Sequence, residues 1–421
     1  MPARKSAMVN AISRLQKVCA WGGNLLEHYD VALFGFLSPF LAPLIFPDKE
    51  PITALILTYA MIPLGKLARP LGALVFGVIG DRYGRAFALY LTLGGMGVVS
   101  LCIAASPTYA QVGVIAPMLF CVGRIFQNFL GAGTSTGNAL LLLENSLEHR
   151  RDLVSSFYNC STIAGIFFAS LGVVTLCYFD ICSWGWRLLY LVGALTALCG
   201  WMMRKQEVVL LQKTSLRSLL HPCWVHRKAL LLVMLGMGFS SANYMMSLVL
   251  MNGFVPLVTV FSKEKMMSLN TWLLILDCCA MPFFGYLASR IGRKQVMVGS
   301  ALGVALLAIP LCVCLEGASL SVVIAVRSCF VLLGVAFAAP CHAWSYGLVP
   351  AQHRYTILSL GSALGSQLFG SPAAAFSLWC FKTTLEVPSI ALYWLGLAAA
   401  TSFALAFSKV PKEEVFQLQK A

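Results

Sequence analysis

Glu27 and Asp30 lie three residues apart within an otherwise apolar stretch, so on a helix they share one face. Neighbouring carboxylates raise one another's proton affinity, which makes the pair a candidate for reversible proton binding, with Arg69 or Arg124 as counter-ion. A static ion-pair network holding helices together is the competing reading, at even weight, because such networks perturb carboxylates too. His28, Lys66, Asp277, Arg327 and His342 also interrupt apolar runs, and each costs several kcal/mol in hydrocarbon unless paired or hydrated. Asp277 and Arg327 are expected to pair, in a structural role. A zwitterion needs aromatic faces for its cation and basic or amide donors for its carboxylate. Tyr29, Phe157, Tyr158 and Tyr244 suit the first role, and Arg124, Gln127 and Asn159 the second. A carboxylate metabolite would use the same donors without the aromatic cage.

These residues must be carried by membrane helices. Of 421 residues, 59% are hydrophobic and 11% charged, and the mean hydropathy is +0.81, too apolar to cover a soluble body of this size. Stretches of about 20 apolar residues fall at 18–45, 53–79, 86–106, 112–143, 153–178 and 187–203, then at 228–252, 268–289, 295–315, 319–348, 355–381 and 388–407. The first stretch follows Arg4, Lys5, Arg14 and Lys17 and is read as a retained span, not a cleaved signal. The net charge of +14 sits in twos and threes at the ends of these runs, which is a topology signal and excludes a nucleic-acid face. Lys and Arg collect on one side: the N-terminus, Arg82/Arg85, Arg150/Arg151, Arg204 to Lys228, Arg290 to Lys294, Arg354 and the tail. Both termini are therefore expected in the cytoplasm. The fifteen cysteines lie mostly as single small packers in apolar runs, and neither they nor the six histidines have metal-site spacing. No cofactor motif and no enzyme signature appears.

A short charged loop organises the two halves. Gly77, Asp81 and Arg85 recur every four residues, with Arg82 and Gly84 between them, and the loop returns as Gly285, Arg290, Gly292 and Arg293. Gly77 aligns on Gly285 and Gly84 on Gly292, each 208 positions on, close to half the chain. Such a duplication fits a two-repeat secondary transporter. On one helical face, Gly77, Asp81 and Arg85 can lean on the other half and latch the cytoplasmic side.

The loop resembles the signature loop of the major facilitator superfamily. Further residues are similar to its metabolite:proton symporter branch, which includes bacterial proline/glycine betaine transporters: Gly23-Asn24, Glu27, Tyr29-Asp30 and Gly35; Arg69-Pro70-Leu71-Gly72; Gln127, Phe129, Gly133 and Gly137; Ile163-Ala164-Gly165; Trp184-Gly185-Trp186-Arg187; and Arg354-Tyr355. The chain departs at Thr134 and Asn159, where the branch usually has acids, and at Ser289, where the second loop usually has aspartate. The resemblance implies an all-α membrane protein of twelve transmembrane helices in two pseudo-symmetric six-helix bundles, with spans 1, 2, 4, 5, 7, 8, 10 and 11 lining the path. The expected layout is a cytoplasmic segment 1–17, bundles 18–203 and 228–408, a linker 204–227 lying on lipid headgroups, and a tail 409–421. The expected function is uptake of a small polar metabolite across a bacterial inner membrane by a monomer that alternates access, with H+ as coupling partner. A transport-inactive sensor, and an uncoupled facilitator or exchanger, remain open.

Overall fold

In the computed structural model, residues 14–83, 85–144, 151–203, 224–349 and 354–408 are described. Helices α1 (Arg14–Ile45), α2 (Pro51–Lys66), α3 (Arg69–Tyr83), α4 (Arg85–Ala104), the short α5 (Tyr109–Val112), α6 (Ile115–Glu144), α7 (Arg151–Tyr178), α8 (Cys182–Gly193) and α9 (Thr196–Met203) form the first half. The second half contains α10 (Arg227–Tyr244), α11 (Met251–Val258), α12 (Lys263–Ile291), α13 (Arg293–Val313), α14 (Leu320–Leu348), α15 (Arg354–Gly365), α16 (Ala373–Thr384) and α17 (Leu392–Phe407). Among the described residues, eleven helical stretches are long and apolar enough to cross a membrane. The remaining span, α15 with α16, is interrupted by a π-turn at Ser366–Gly370.

Several spans that read as continuous in the sequence are broken. Span 2 divides into α2 and α3 at Leu67–Ala68. Pro70 lacks the N–H that would bond the Lys66 carbonyl and disfavours helical geometry at Arg69 before it. Span 6 divides into α8 and α9, and span 7 passes from α10 to α11 through a π-helical Met245–Leu250. Hydropathy sees only that these runs are apolar. A bilayer tolerates such backbone where protein or a cavity receives the released groups.

Helices α1, α2, α3, α6 and α7 meet α11, α12, α14, α15 and α16 across the seam between halves, whereas α4, α8, α9, α13 and α17 pack chiefly within their own half. The small residues of the sequence set the closest approaches. A Cβ on Gly165 of α7 would drive into the Leu25 carbonyl of α1, and one on Gly365 of α15 into the Met234 carbonyl of α10. These are corresponding crossings, span 5 on span 1 and span 11 on span 7.

Each half also buries one arginine on its own helices. Arg124 donates to Gln127 Oε1 at 2.9 Å and to the carbonyls of Asp30 and Val31. Arg327 donates to the Met266 carbonyl and to Asn252 and Asn270 at 3.0 and 2.8 Å. Arg327 therefore does not pair with Asp277, as the sequence led us to expect: it bonds neutral acceptors of its own half instead. Gly292 ends α12 at φ +103°, a conformation natural to glycine, and Arg293 then turns to the Ala343 carbonyl of its own half. The side chains of Gly77, Asp81, Arg82, Gly84 and Arg85, residues 204–223 of the expected linker and the tail 409–421 lie outside the described residues.

Gly165→Ala and Gly365→Ala should each destabilise the protein by about 1–3 kcal/mol or more, since backbone must move to make room. Gly94→Ala, where a Cβ meets nothing within 4 Å, should be neutral. Thermal unfolding in detergent checks the difference, and equal behaviour of all three would remove the close-approach reading.

Candidate functional site

Burial drives the polar groups of the first half into two clusters. Glu27, fully buried, accepts from Arg69 at 3.2 Å. Asp30, also fully buried, accepts from Ser100 at 2.5 Å and Gln127 at 2.6 Å, while Gln127 also reaches Ser100 at 3.0 Å. Although Glu27 and Asp30 share a helical face, the chain gives them different partners: Glu27 faces the break in span 2, and Asp30 faces α4 and α6. Arg124 belongs to the Asp30 cluster through Gln127, which leaves Arg69 as the only ion-pair partner of Glu27 among the described residues.

Between the halves lies a chamber of about 320 Å3, at the lower end of the range of roughly 300–1,000 Å3 for small-molecule sites. From the first half, His28, Lys66, Arg69, Tyr158 and Asn159 line it; from the second, Asn243, Tyr244, Asp277, His342 and Ser359 do so. Of the residues proposed from sequence for the pocket, Arg69, Tyr158, Asn159 and Tyr244 thus reach the chamber. Asp30, Arg124 and Gln127 stay inside the first bundle, and Glu27 stands behind Arg69. Tyr29 turns the other way, donating to the Leu189 carbonyl at 3.0 Å and lining an apolar groove with Phe168 and Leu171. Phe157 is 47% exposed on the outer surface. Thr134 is buried outside the chamber, its hydroxyl without a partner.

Sequence reasoning passed over Asn243, Ser240, Ser241 and Ser359 as lining, and set Asp277 aside as structural. A signal for Asp277 was present: the 208-residue offset that aligns the two loops also places Asp277 on Arg69. Opposite charges thus occupy matching places in the two repeats, and both face the chamber.

The chamber is closed at the end where α1 turns into α2. Pro43 cannot bond the Pro39 carbonyl one turn back, and Lys263 of the other half takes that acceptor at 3.1 Å. Pro282 likewise releases the Cys278 carbonyl, which Cys160 approaches at 3.9 Å. Tyr59 donates to the Val249 carbonyl in the π-turn of span 7 at 3.2 Å, and Gln367 in the π-turn of span 11 donates to the Pro63 carbonyl at 2.9 Å. At the rim, Lys382 bonds Glu50 at 2.9 Å and Thr53 at 2.5 Å. The Lys382 hydrogen bond, with a second from Thr53, holds the Glu50 carboxyl below its usual range.

This architecture can be matched with known proteins. Residues 16–207 match the family described as "Sugar (and other) transporter". A D-xylose-proton symporter structure superposes with a TM-score of 0.75 at 16% identity, covering 94% of this chain and 98% of that one. Another xylose symporter structure, described as a member of the major facilitator superfamily, gives 0.68 at 15% identity over 92% of this chain and 94% of that one. This chain has the major facilitator fold. By sequence it is similar to the alpha-ketoglutarate permease of Escherichia coli, 28% identical over 408 residues, which are 92% of this chain and 91% of that one. It is also similar to the proline/betaine transporter of Salmonella typhimurium, 24% identical over 398 residues, 89% and 79% of the two chains.

Removing Arg69 strands Glu27 as a buried charge, so Arg69→Leu should cost about 3–5 kcal/mol, and Glu27→Leu with Arg69→Leu should recover most of it. Unfolding of the four forms checks this, and additive losses would show that the two residues do not act as a pair. For the rim, the depressed Glu50 carboxyl contributes closure that is complete above the ordinary glutamate range and is lost as pH falls through its lowered value. Spin labels at Lys49 and Glu386 should therefore show longer distances in acid, by about fivefold or less in population, and Glu50→Gln should show them at neutral pH. Distances that ignore both changes would count against the rim bond.

Proposed function

We propose that this chain is a secondary transporter that carries a small polar metabolite across a bacterial inner membrane, coupled to H+, with both termini in the cytoplasm. The observation carrying this reading is a charged chamber at the seam of two repeats, closed at one end by bonds between them. Breaking those bonds while forming their counterparts at the other end would expose the chamber to each side in turn. In the assumed orientation, the closed end is the outside.

Closure depends on what the chamber holds, because substrate and proton must bind the two states unequally to shift them. Glu27 and Arg69 offer one means. A proton on Glu27 neutralises the carboxylate that Arg69 holds and releases the guanidinium toward the chamber, where it meets substrate. Asp30, bonded to Ser100 and Gln127, instead ties α1 to α4 and α6. The Asp81 loop acts as the latch on the cytoplasmic side.

Proteoliposomes holding the full chain should take up labelled solute from a panel of proline, betaine, citrate and 2-oxoglutarate, and a protonophore should lower accumulation about tenfold or more. Asp81→Asn should reduce uptake while leaving the protein in the membrane, and Glu27→Gln should exchange substrate but lose the protonophore effect. Uptake of nothing in the panel would favour a transport-inactive sensor. Protonophore-insensitive accumulation by the wild type would remove the coupling.

A further inference from the structure

Helix α17 does not line the chamber, yet it holds a residue that does. Asn243, near the end of α10 and just before the π-helical Met245–Leu250, borders the chamber and is 2% exposed. The indole N–H of Trp394, on α17, donates to Asn243 Oδ1 at 2.5 Å. An indole nitrogen can only donate, so it fixes which end of the amide faces α17: Oδ1 is held there, and Nδ2 is turned away. That Nδ2 is buried and has no acceptor among the described residues. Trp394 is itself fixed, fully buried with its ring centroid 4.6 Å from that of Phe330 on α14. Its neighbour Tyr393 donates to the Phe369 carbonyl in the π-turn of span 11 at 2.7 Å, so adjacent residues of α17 hold both irregular spans of this half.

The repeat separates packing from positioning. The 208-residue offset places Trp394 on Trp186 and Asn243 on Gly35. Trp186 is also buried, and its ring lies 5.2 Å from Phe120 of span 4, as the Trp394 ring lies against Phe330 of span 10. Packing therefore needs only the ring. With glycine at position 35 there is no amide to receive the Trp186 N–H, which is buried without a partner. The bond between Trp394 and Asn243 thus has no counterpart in the first half. An amide with one end satisfied and the other bare destabilises a buried helix, and a solute that accepts from Nδ2 removes that cost.

We propose that Trp394 is a positioning residue of the chamber: through its bond to Oδ1 it presents Asn243 Nδ2 as a donor to an acceptor oxygen of the solute. This rests on the transport reading for the presence of a solute, and concerns one hydrogen bond to it. Without the indole N–H the amide is free to turn over, and the solute then meets an acceptor where it had a donor.

Calorimetry on the purified full chain in lipid nanodiscs tests this with proline, glycine betaine, citrate and 2-oxoglutarate, each of which carries carboxylate oxygens. For whichever binds, Trp394→Phe, which keeps an aromatic ring and removes the N–H, should weaken binding about tenfold, and Asn243→Ala should do the same. The double variant should be no weaker than either single one, since both remove one donor. Trp186→Phe should leave affinity within about twofold. Asn243→Asp keeps an acceptor for Trp394 but makes the free end an acceptor too, so it should weaken binding further than Asn243→Ala; it carries the test if Trp394→Phe does not fold. In proteoliposomes the Trp394→Phe loss should appear in KM with kcat within about twofold, which a general loosening of the helices would not give. Unchanged affinity in Trp394→Phe or Asn243→Asp, additive losses in the double variant, or an equal loss in Trp186→Phe overturns the proposal, as does binding of none of the four by the wild type. Uptake separates it from the functional reading. Accumulation of a solute whose KM ignores Trp394→Phe defeats the positioning and keeps the transporter, and the expected binding losses in a chain that moves nothing do the reverse.

Discussion

Inside hydrocarbon a carbonyl with no donor costs several kcal/mol, and the seam of this protein uses carbonyls that their own helices have given up. Pro43 and Pro282 each remove one rung of a helical ladder, and the freed acceptors at Pro39 and Cys278 meet Lys263 and Cys160 of the other half. The π-turns of spans 7 and 11 also face the seam, where the Val249 carbonyl accepts from Tyr59 and the Gln367 amide donates to the Pro63 carbonyl. Such bonds suit a moving interface. They hold two rigid bundles together through a few directional contacts, and an acceptor released on one side can be met again by another side chain or by water.

The same constraint divides the ionisable groups into two kinds. Arg124 and Arg327 bond carbonyls and amides of their own halves, and Asp30 bonds Ser100 and Gln127. These groups lock helices together and do not line the chamber. Lys66 and Asp277 are buried to a similar degree yet unsatisfied. Glu27 and Arg69 stand between the two kinds, bonded to each other at the chamber wall.

The repeat gives the chamber its polarity. Residues 69 and 277 correspond under the 208-residue offset, and they carry opposite charges. The glycines at 165 and 365 kept the same job, since both crossings need backbone in contact. Symmetry is thus retained where these helices pack and is lost in charge at the chamber wall.

The spans and the correspondence of the two halves were legible in the residues, because apolar runs of membrane length and a recurring loop are local properties of a chain. The resemblance carried by Gly23-Asn24 and Trp184-Gly185-Trp186-Arg187 led to the right fold for a similar reason: such motifs are contiguous. Breaks in spans 2, 6 and 7 were not legible, since Pro70 or a π-turn leaves hydropathy unchanged. Nor was the sorting of Glu27 from Asp30, or the turning away of Tyr29, because a shared helical face says nothing about which neighbour stands opposite. Which buried charges are matched is decided only when α2, α6, α7 and α12 are brought together. Lys66 and Asp277 come to line one chamber only through the packing of the two halves, and packing between halves is a tertiary quantity that no local pattern encodes.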